Sequence, residues 1–116
     1  MVGTKMEIVG VTACISGVAH TYMAAELLEK TCKKAGYKIN VETQGALGCE
    51  HELSPEHIER ANVAVIISDI NIAGIERFDQ LRVVRCSITH FLCKTQDVMA
   101  AIERARNIPP ATRIVL

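Results

Sequence analysis

Apolar residues recur along this chain in runs and steps that predict strands alternating with helices. Met6 to Thr12 is apolar on both alternations apart from Glu7, the pattern of a central parallel strand covered on both faces. From Val18 the apolar positions step through Tyr22, Ala25, Leu28, Cys32 and Ala35 at intervals of three and four, one face of a helix that Gly36 stops. Its other face is charged, with Glu26 and Lys30, and Glu29 and Lys33, set four apart as solvent-side pairs. Lys38 to Thr43 sets Ile39, Val41 and Thr43 against Lys38, Asn40 and Glu42, which predicts a strand with one exposed face near the sheet edge. Gln44-Gly45-Ala46-Leu47-Gly48 then reads as a glycine-punctuated loop.

Ser54-Pro55-Glu56-His57 supplies an N-cap, a proline at the first helical position and an acidic first turn, so a short helix runs to about Arg60. Val63 to Ser68 is the most apolar run and predicts a second central strand, ending at Asp69. Ile70 to Phe78 has helical spacing only around Gly74 to Phe78, enough for a turn or two. Arg82 to Cys86 predicts a fourth strand, and Thr95 to Arg106 a last helix, capped by Thr95 with Asp97 in its first turn and ended by Pro109 and Pro110. The tail Ala111 to Leu116 suits either a packed extension or a disordered stub.

This alternation implies parallel pairing through right-handed crossovers. The expected fold is α/β: a three-layer Rossmann-like domain with a four-stranded parallel sheet, order 2-1-3-4, and helices on both faces. One domain is expected over residues 1–106, with 107–116 as a C-terminal tail. In that strand order the chain reverses direction beside strand one, which opens a crevice at its carboxyl end. Cys14 falls there.

Composition narrows the function. The 116 residues are 49% apolar, enough for one domain with a sizeable core. Lys plus Arg and Asp plus Glu both number 13, so no basic surface points to nucleic acid. No apolar run approaches the ~20 residues of a membrane span, and Met1 to Glu7 has no signal-peptide core, so the chain is expected to be soluble and cytoplasmic. Five cysteines, at 14, 32, 49, 86 and 93, are odd in number and include no C-x-x-C pair. They fit neither a disulfide framework nor a zinc site and read as free thiols in a reducing compartment. Cys32 and Cys86, on a helix's apolar face and in a strand, are expected core residues; Cys49 and Cys93 carry no role. His51, His57 and His90 show no metal spacing, and neither metal nor cofactor is expected. Two Tyr, two Phe and no Trp leave little to stack on a flavin or on bases.

The chemistry therefore centres on Cys14-Ile15-Ser16-Gly17-Val18-Ala19-His20-Thr21, a thiol at a strand-to-helix turn. Unpaired N–H groups and the positive end of the helix dipole favour a thiolate there, and the thiolate is the nucleophile. The same N–H groups, from about Ser16 onward, suit the equatorial oxygens of a transferring phosphoryl group. Gly17 permits close approach, Ser16 and Thr21 offer hydroxyl donors, and His20 offers a further donor or a positive charge. Gln44 and Asp69, expected at strand ends, could reach the same crevice, although polar residues at strand ends are commonly turn formers. Low-molecular-weight cysteine phosphatases and the related arsenate reductases use Cys-x5-Arg-Ser/Thr, with the Arg gripping phosphate bidentately. Here His20 stands six residues after Cys14, no Arg precedes Arg60, and no Asp-Pro loop supplies a general acid. Three classes follow: a phosphoryl carrier, a phosphatase or arsenate reductase-like enzyme, and a flavodoxin-like module binding a nucleotide phosphate.

At these residues the sequence resembles the fructose-family IIB component of the bacterial phosphoenolpyruvate-dependent sugar phosphotransferase system. The likeness rests on Thr12-Ala13-Cys14 through Gly17, Ala19-His20-Thr21-Tyr22-Met23-Ala24-Ala25, Val41-Glu42-Thr43-Gln44-Gly45, Asp69 and Arg77-Phe78, and spans Met6 to Arg106. It implies a phosphotransferase in which Cys14 takes a phosphoryl group from a phosphohistidine on a IIA partner. Cys14 then passes it to fructose or a fructose-like sugar entering through the membrane permease IIC, with which a cytoplasmic IIB would associate. Ile15-Ser16 stands where the family commonly has Pro-Thr, and Asp79-Gln80-Leu81 where Gly-Lys-Pro is usual, departures that fit a fructose-like paralogue.

Overall fold

Strands and helices alternate through a computed structural model that describes residues 6–14, 18–45 and 48–116. β1 (Glu7–Ala13) leads into the long helix α1 (Val18–Lys34), then β2 (Lys38–Gly45) and the short β3 (Gly48–Glu50). α2 (Pro55–Arg60), β4 (Val63–Ser68), a 3-10 turn at Ile75–Phe78 and β5 (Arg82–Cys86) follow. α3 (Ile88–Cys93), α4 (Thr95–Ala105) and β6 (Arg113–Val115) complete the order.

Among the described residues the sheet has six strands in the order β3-β2-β1-β4-β5-β6 and is mixed, not four-stranded and wholly parallel. Its middle, β2-β1-β4-β5, is parallel and stands in the expected order. The difference lies at both edges. β3 returns antiparallel to β2, and β6 adds parallel to β5. Both are three residues long, too short to carry a hydrophobic period. Residues of the tail thus form an edge strand, with Val83 N–H donating to Thr112 O (2.9 Å) and Leu116 N–H to Arg85 O (2.9 Å).

Alternate residues of the buried strands feed two cores. On one face Ile8, Val41, Val65, Ile67 and Val84 meet Leu28 and Cys32 of α1, Phe91 of α3 and Ile102 of α4. On the other, Val9, Val11, Ala13, Ala64 and Ile66 meet Leu53, Ile72 and Phe78 around α2 and the 3-10 turn. Helical cover is therefore three helices deep on the first face and thin on the second.

The buried face of α1 is Thr21, Ala24, Ala25, Leu28 and Cys32, while Tyr22 and Ala35, expected inward, are exposed. Gly36, at φ 88°, ends the helix by turning the chain so that Tyr37 N–H donates to Cys32 O (2.9 Å). At that left-handed φ glycine is spared the backbone strain that an L side chain would bring, although the space around it is open. α2 begins at Ser54 and Pro55 as expected, with His57 closing a reciprocal box through Ser54 N–H to its Nδ1 (3.2 Å). α3 is an element that the sequence pattern left unassigned. Thr95 does not cap α4 but is its first residue, and its hydroxyl donates back to Phe91 O (2.7 Å) at the end of α3. No helix among the described residues is long and apolar enough to cross a membrane.

Candidate functional site

The chain leaves β1 to one side for β2 and returns on the other side as β4, so β1 is where the winding reverses. The last residue of β1, Ala13, is paired with Gln44 of β2 and with Ser68 of β4. Cys14 follows immediately, half-buried, beyond the carboxyl end of the strand and packed toward the α1 face. α1 begins only four residues later at Val18, which directs the first turn of a 17-residue helix at that crevice. Ile15, Ser16 and Gly17 of the expected phosphate loop lie outside the described residues.

Of the remaining loop residues, Val18 opens α1, and Ala19 and His20 are exposed in its first turn. Thr21 is fully buried, and its carbonyl accepts the hydroxyl of Thr12 (3.1 Å), which ties the start of α1 to β1. Asp69 is exposed just past β4, and its Oδ1 accepts the N–H of Ile88 (3.2 Å) at the start of α3. That carboxylate oxygen serves the helix end.

The other thiols separate from Cys14 by surroundings. Cys32 and Cys86 are buried, and burial pushes both thiols up to about 12, with the Asp69 charge adding to the effect on Cys86. Cys49 on β3 and Cys93 at the end of α3 are exposed; Cys49 pairs with Gln44, whose other partner is Ala13 at the end of β1. Among the described residues no group of His, Cys, Asp or Glu is arranged to hold a metal ion.

What the sequence reading missed is a polar network on the opposite face of the sheet. Glu42, expected on the exposed side of β2, is 1% exposed. Arg77 reaches it with both terminal nitrogens, Nη1 to Oε1 (2.9 Å) and Nη2 to Oε2 (3.0 Å). Leu53 N–H donates to Oε1 (3.0 Å), and the Gln44 amide to Oε2 (2.7 Å). Burial alone would raise the Glu42 carboxyl, but Arg77, Gln44 and Leu53 outweigh it and hold the group down at about 2. Arg77 also lies 4.9 Å over the Phe78 ring and donates through Nε to Gly74 O (2.7 Å). The signal for this pairing was present as two separate motifs, Val41 to Gly45 and Arg77-Phe78, which nothing local in the sequence connects.

Comparison with known proteins follows the same outline. The family model described as PTS system, Lactose/Cellobiose specific IIB subunit, matches residues 9–101. The PTS system fructose-like EIIB component 3 of Escherichia coli strain K12 is 52% identical over 109 residues, covering 94% of this chain and 96% of that protein. The fructose-like EIIB component 2 of the same strain is 44% identical over 97 residues, 84% of this chain and 92% of that one. A much longer relative, the fructose-specific EIIABC component of Bacillus subtilis, is 38% identical over 89% of this chain and 16% of its own length. Among solved structures, a predicted fructose-specific IIB from Escherichia coli superposes with a TM-score of 0.92 at 51% identity, covering 96% of this chain and 98% of that one.

Proposed function

Because this chain belongs to the IIB-component family of the sugar phosphotransferase system, whose members transfer phosphoryl groups in sugar uptake, we propose that Cys14 is the residue that carries the phosphoryl group. The observation that supports this most is its place: a half-buried thiol one residue past β1, where the sheet's winding reverses and the N-terminus of α1 faces it. In the first half-reaction the Cys14 thiolate attacks phosphorus of a phosphohistidine on IIA. An S–P bond forms, and the P–N bond breaks with its electron pair returning to the imidazole. In the second half a sugar hydroxyl oxygen attacks phosphorus, the S–P bond breaks with its pair returning to Sγ, and the hydroxyl proton passes to water.

Among the described residues of the expected loop, the first turn of α1 offers backbone N–H groups to the equatorial oxygens, and His20, exposed in that turn, adds a donor or a positive charge to them. The donor is a IIA protein or domain and the acceptor a sugar delivered by a membrane IIC, to which a cytoplasmic IIB comes. Relatives named for fructose and fructose-like components point to a ketose of that kind. The hydrolase reading, which asks for an arginine clamp on the phosphate, is disfavoured by how two of the arginines are used. Arg77 is spent on Glu42, and Arg85 donates to Ile70 O (3.2 Å), so the arginines of this network and of β5 are already engaged by the protein itself.

The test is phosphorylation by phosphorylated IIA, followed by mass spectrometry of the intact chain. Wild type should gain one phosphoryl group and Cys14→Ser none at the same rate. Phosphorylation of Cys14→Ser at the wild-type rate would move the carrier elsewhere, and Cys14-dependent turnover of an aryl phosphate would restore the phosphatase reading.

A further inference from the structure

After Ser68 the backbone does not stay beside β4. Gln44 stands on β2, on the far side of β1, yet its side-chain amide exchanges two hydrogen bonds with the Ala73 peptide, Nε2 to Ala73 O (3.0 Å) and Ala73 N–H to Oε1 (2.9 Å). Residues 69–73 must therefore cross the carboxyl end of β1. Ile70 and Ile72 pack in the cluster that contains Ala13, so the crossing runs on the face of the sheet away from α1. Cys14 comes next in the chain and packs toward α1. The nucleophile thus stands between the start of α1 and a backbone strap laid beneath the end of its strand.

Each end of the strap is tied. At its start Ser68 Oγ both donates to Ile70 O (2.6 Å) and accepts from Ile70 N–H (3.0 Å). At its far end Arg77 holds Gly74 O through Nε and Ala73 O through Nη2 (3.2 Å). The close approach of this guanidinium requires glycine at 74, where φ is 73° and a Cβ would stand 2.6 Å from Arg77 Nε. Gln44 itself is aimed by its bond to Glu42, which is aimed by Arg77. An amide side chain can donate and accept at once, which is what the N–H and C=O of one residue's backbone ask of a partner. A carboxylate or an alkyl group at 44 could not do both.

The geometry points to Gln44, oriented by Glu42 and Arg77, as a positioning residue for phosphoryl transfer: it holds residues 69–73 across the end of β1 and so fixes the backbone from which Cys14 attacks. This rests on the reading of Cys14 as the carrier. Displacement of a reacting group by about 1 Å can cost on the order of a hundredfold in rate, so a strap that holds the strand end matters to transfer rather than to docking.

The experiment uses the full chain, with Gln44→Ala and, as an unbranched replacement of similar length, Gln44→Met. Amide hydrogen exchange at Ala73 is measured without any phosphate, and rapid-quench transfer from phosphorylated IIA separates the first-order rate constant from the half-saturating IIA concentration. Both variants should speed Ala73 exchange about tenfold or more and slow the first-order step about tenfold to a hundredfold, with half-saturation unchanged. Unaltered Ala73 exchange would show that Gln44 does not hold the strap. Faster exchange with an unchanged rate constant would show that the strap does not position Cys14, and a loss confined to half-saturation would make Gln44 a docking residue. Failure of the carrier reading is seen separately, as phosphorylation of Cys14→Ser.

Discussion

Replacing Arg77 by Met keeps the stem that lies along Phe78 and removes the guanidinium, leaving Glu42 buried with two of its partners. In the wild type the Glu42 carboxyl sits at about 2 instead of 4.5. At about 1.4 kcal/mol per unit, that difference corresponds to about 3 kcal/mol of stability at neutral pH. Because the folded-state value is depressed, this stability is complete above the unfolded value of 4.5 and is lost as pH falls through about 2. Arg77 shares that depression with Gln44 and Leu53, so the gap between wild type and Arg77→Met should be up to about 3 kcal/mol at pH 7 and shrink toward pH 3, where the unfolded chain is already protonated and the folded wild type is not. Urea unfolding of both proteins at pH 7, 5, 4 and 3, followed by circular dichroism, measures the gap directly. A gap below about 1 kcal/mol at pH 7, or one that stays constant across this range, would refute the claim that Arg77 is what makes Glu42 tolerable in the core. Adding Glu42→Leu to Arg77→Met should recover part of the loss, since an apolar pair leaves no buried charge behind.

Three further outcomes follow from the packing. With iodoacetamide at pH 8, Cys32 and Cys86 should resist modification until the chain unfolds, because a thiol at about 12 has about a thousandth of the thiolate of one at 9, and both are buried; labelling of either at the rate of Cys93 by peptide mapping would contradict this. Gly10→Ala would place a Cβ 2.7 Å from Leu28 Cδ2, inside the α1 face of the core, so a loss of about 1–3 kcal/mol and a lower melting temperature by calorimetry are expected. An unchanged melting temperature would mean that Leu28 has room to turn away. Deleting residues 107–116 removes β6 and the bond from Arg82 Nε to Ile108 O (2.6 Å), which bares the edge of β5; a lower urea midpoint and concentration-dependent association by ultracentrifugation should result, and a monomer of wild-type stability would argue that β6 only decorates the sheet.

The legibility of this chain divides along the range of the forces involved. The four central strands and the starts of α1 and α2 are dictated by local period and by caps such as Ser54-Pro55, and the sequence pattern is enough to find them. The place of Cys14, just past β1 and four residues before α1, was legible for the same reason, since the strand and helix patterns lie close together in the chain. β3, α3 and β6 were not, because at three to six residues they have no period of their own and form where neighbouring elements offer bonds. Glu42 was misread because alternation on β2 assigns it to solvent. Its partner Arg77 is 35 residues away, and only the fold brings the two together. Tyr22 and Ala35 fit the helical spacing without being covered, and Ala35 falls just past the end of α1.

Among the described residues Glu42 is the one buried carboxylate, and it is matched by Arg77 on the face of the sheet away from Cys14. A phosphorylated carrier gains about two negative charges when loaded and sheds them when it unloads. Since the interior already balances its own carboxylate, a phosphoryl group on Cys14, the carrier we propose, would add its charge at the half-buried end of β1 and leave that buried pair as it is. On that proposal the protein would cycle between charged and discharged forms with the same core in both.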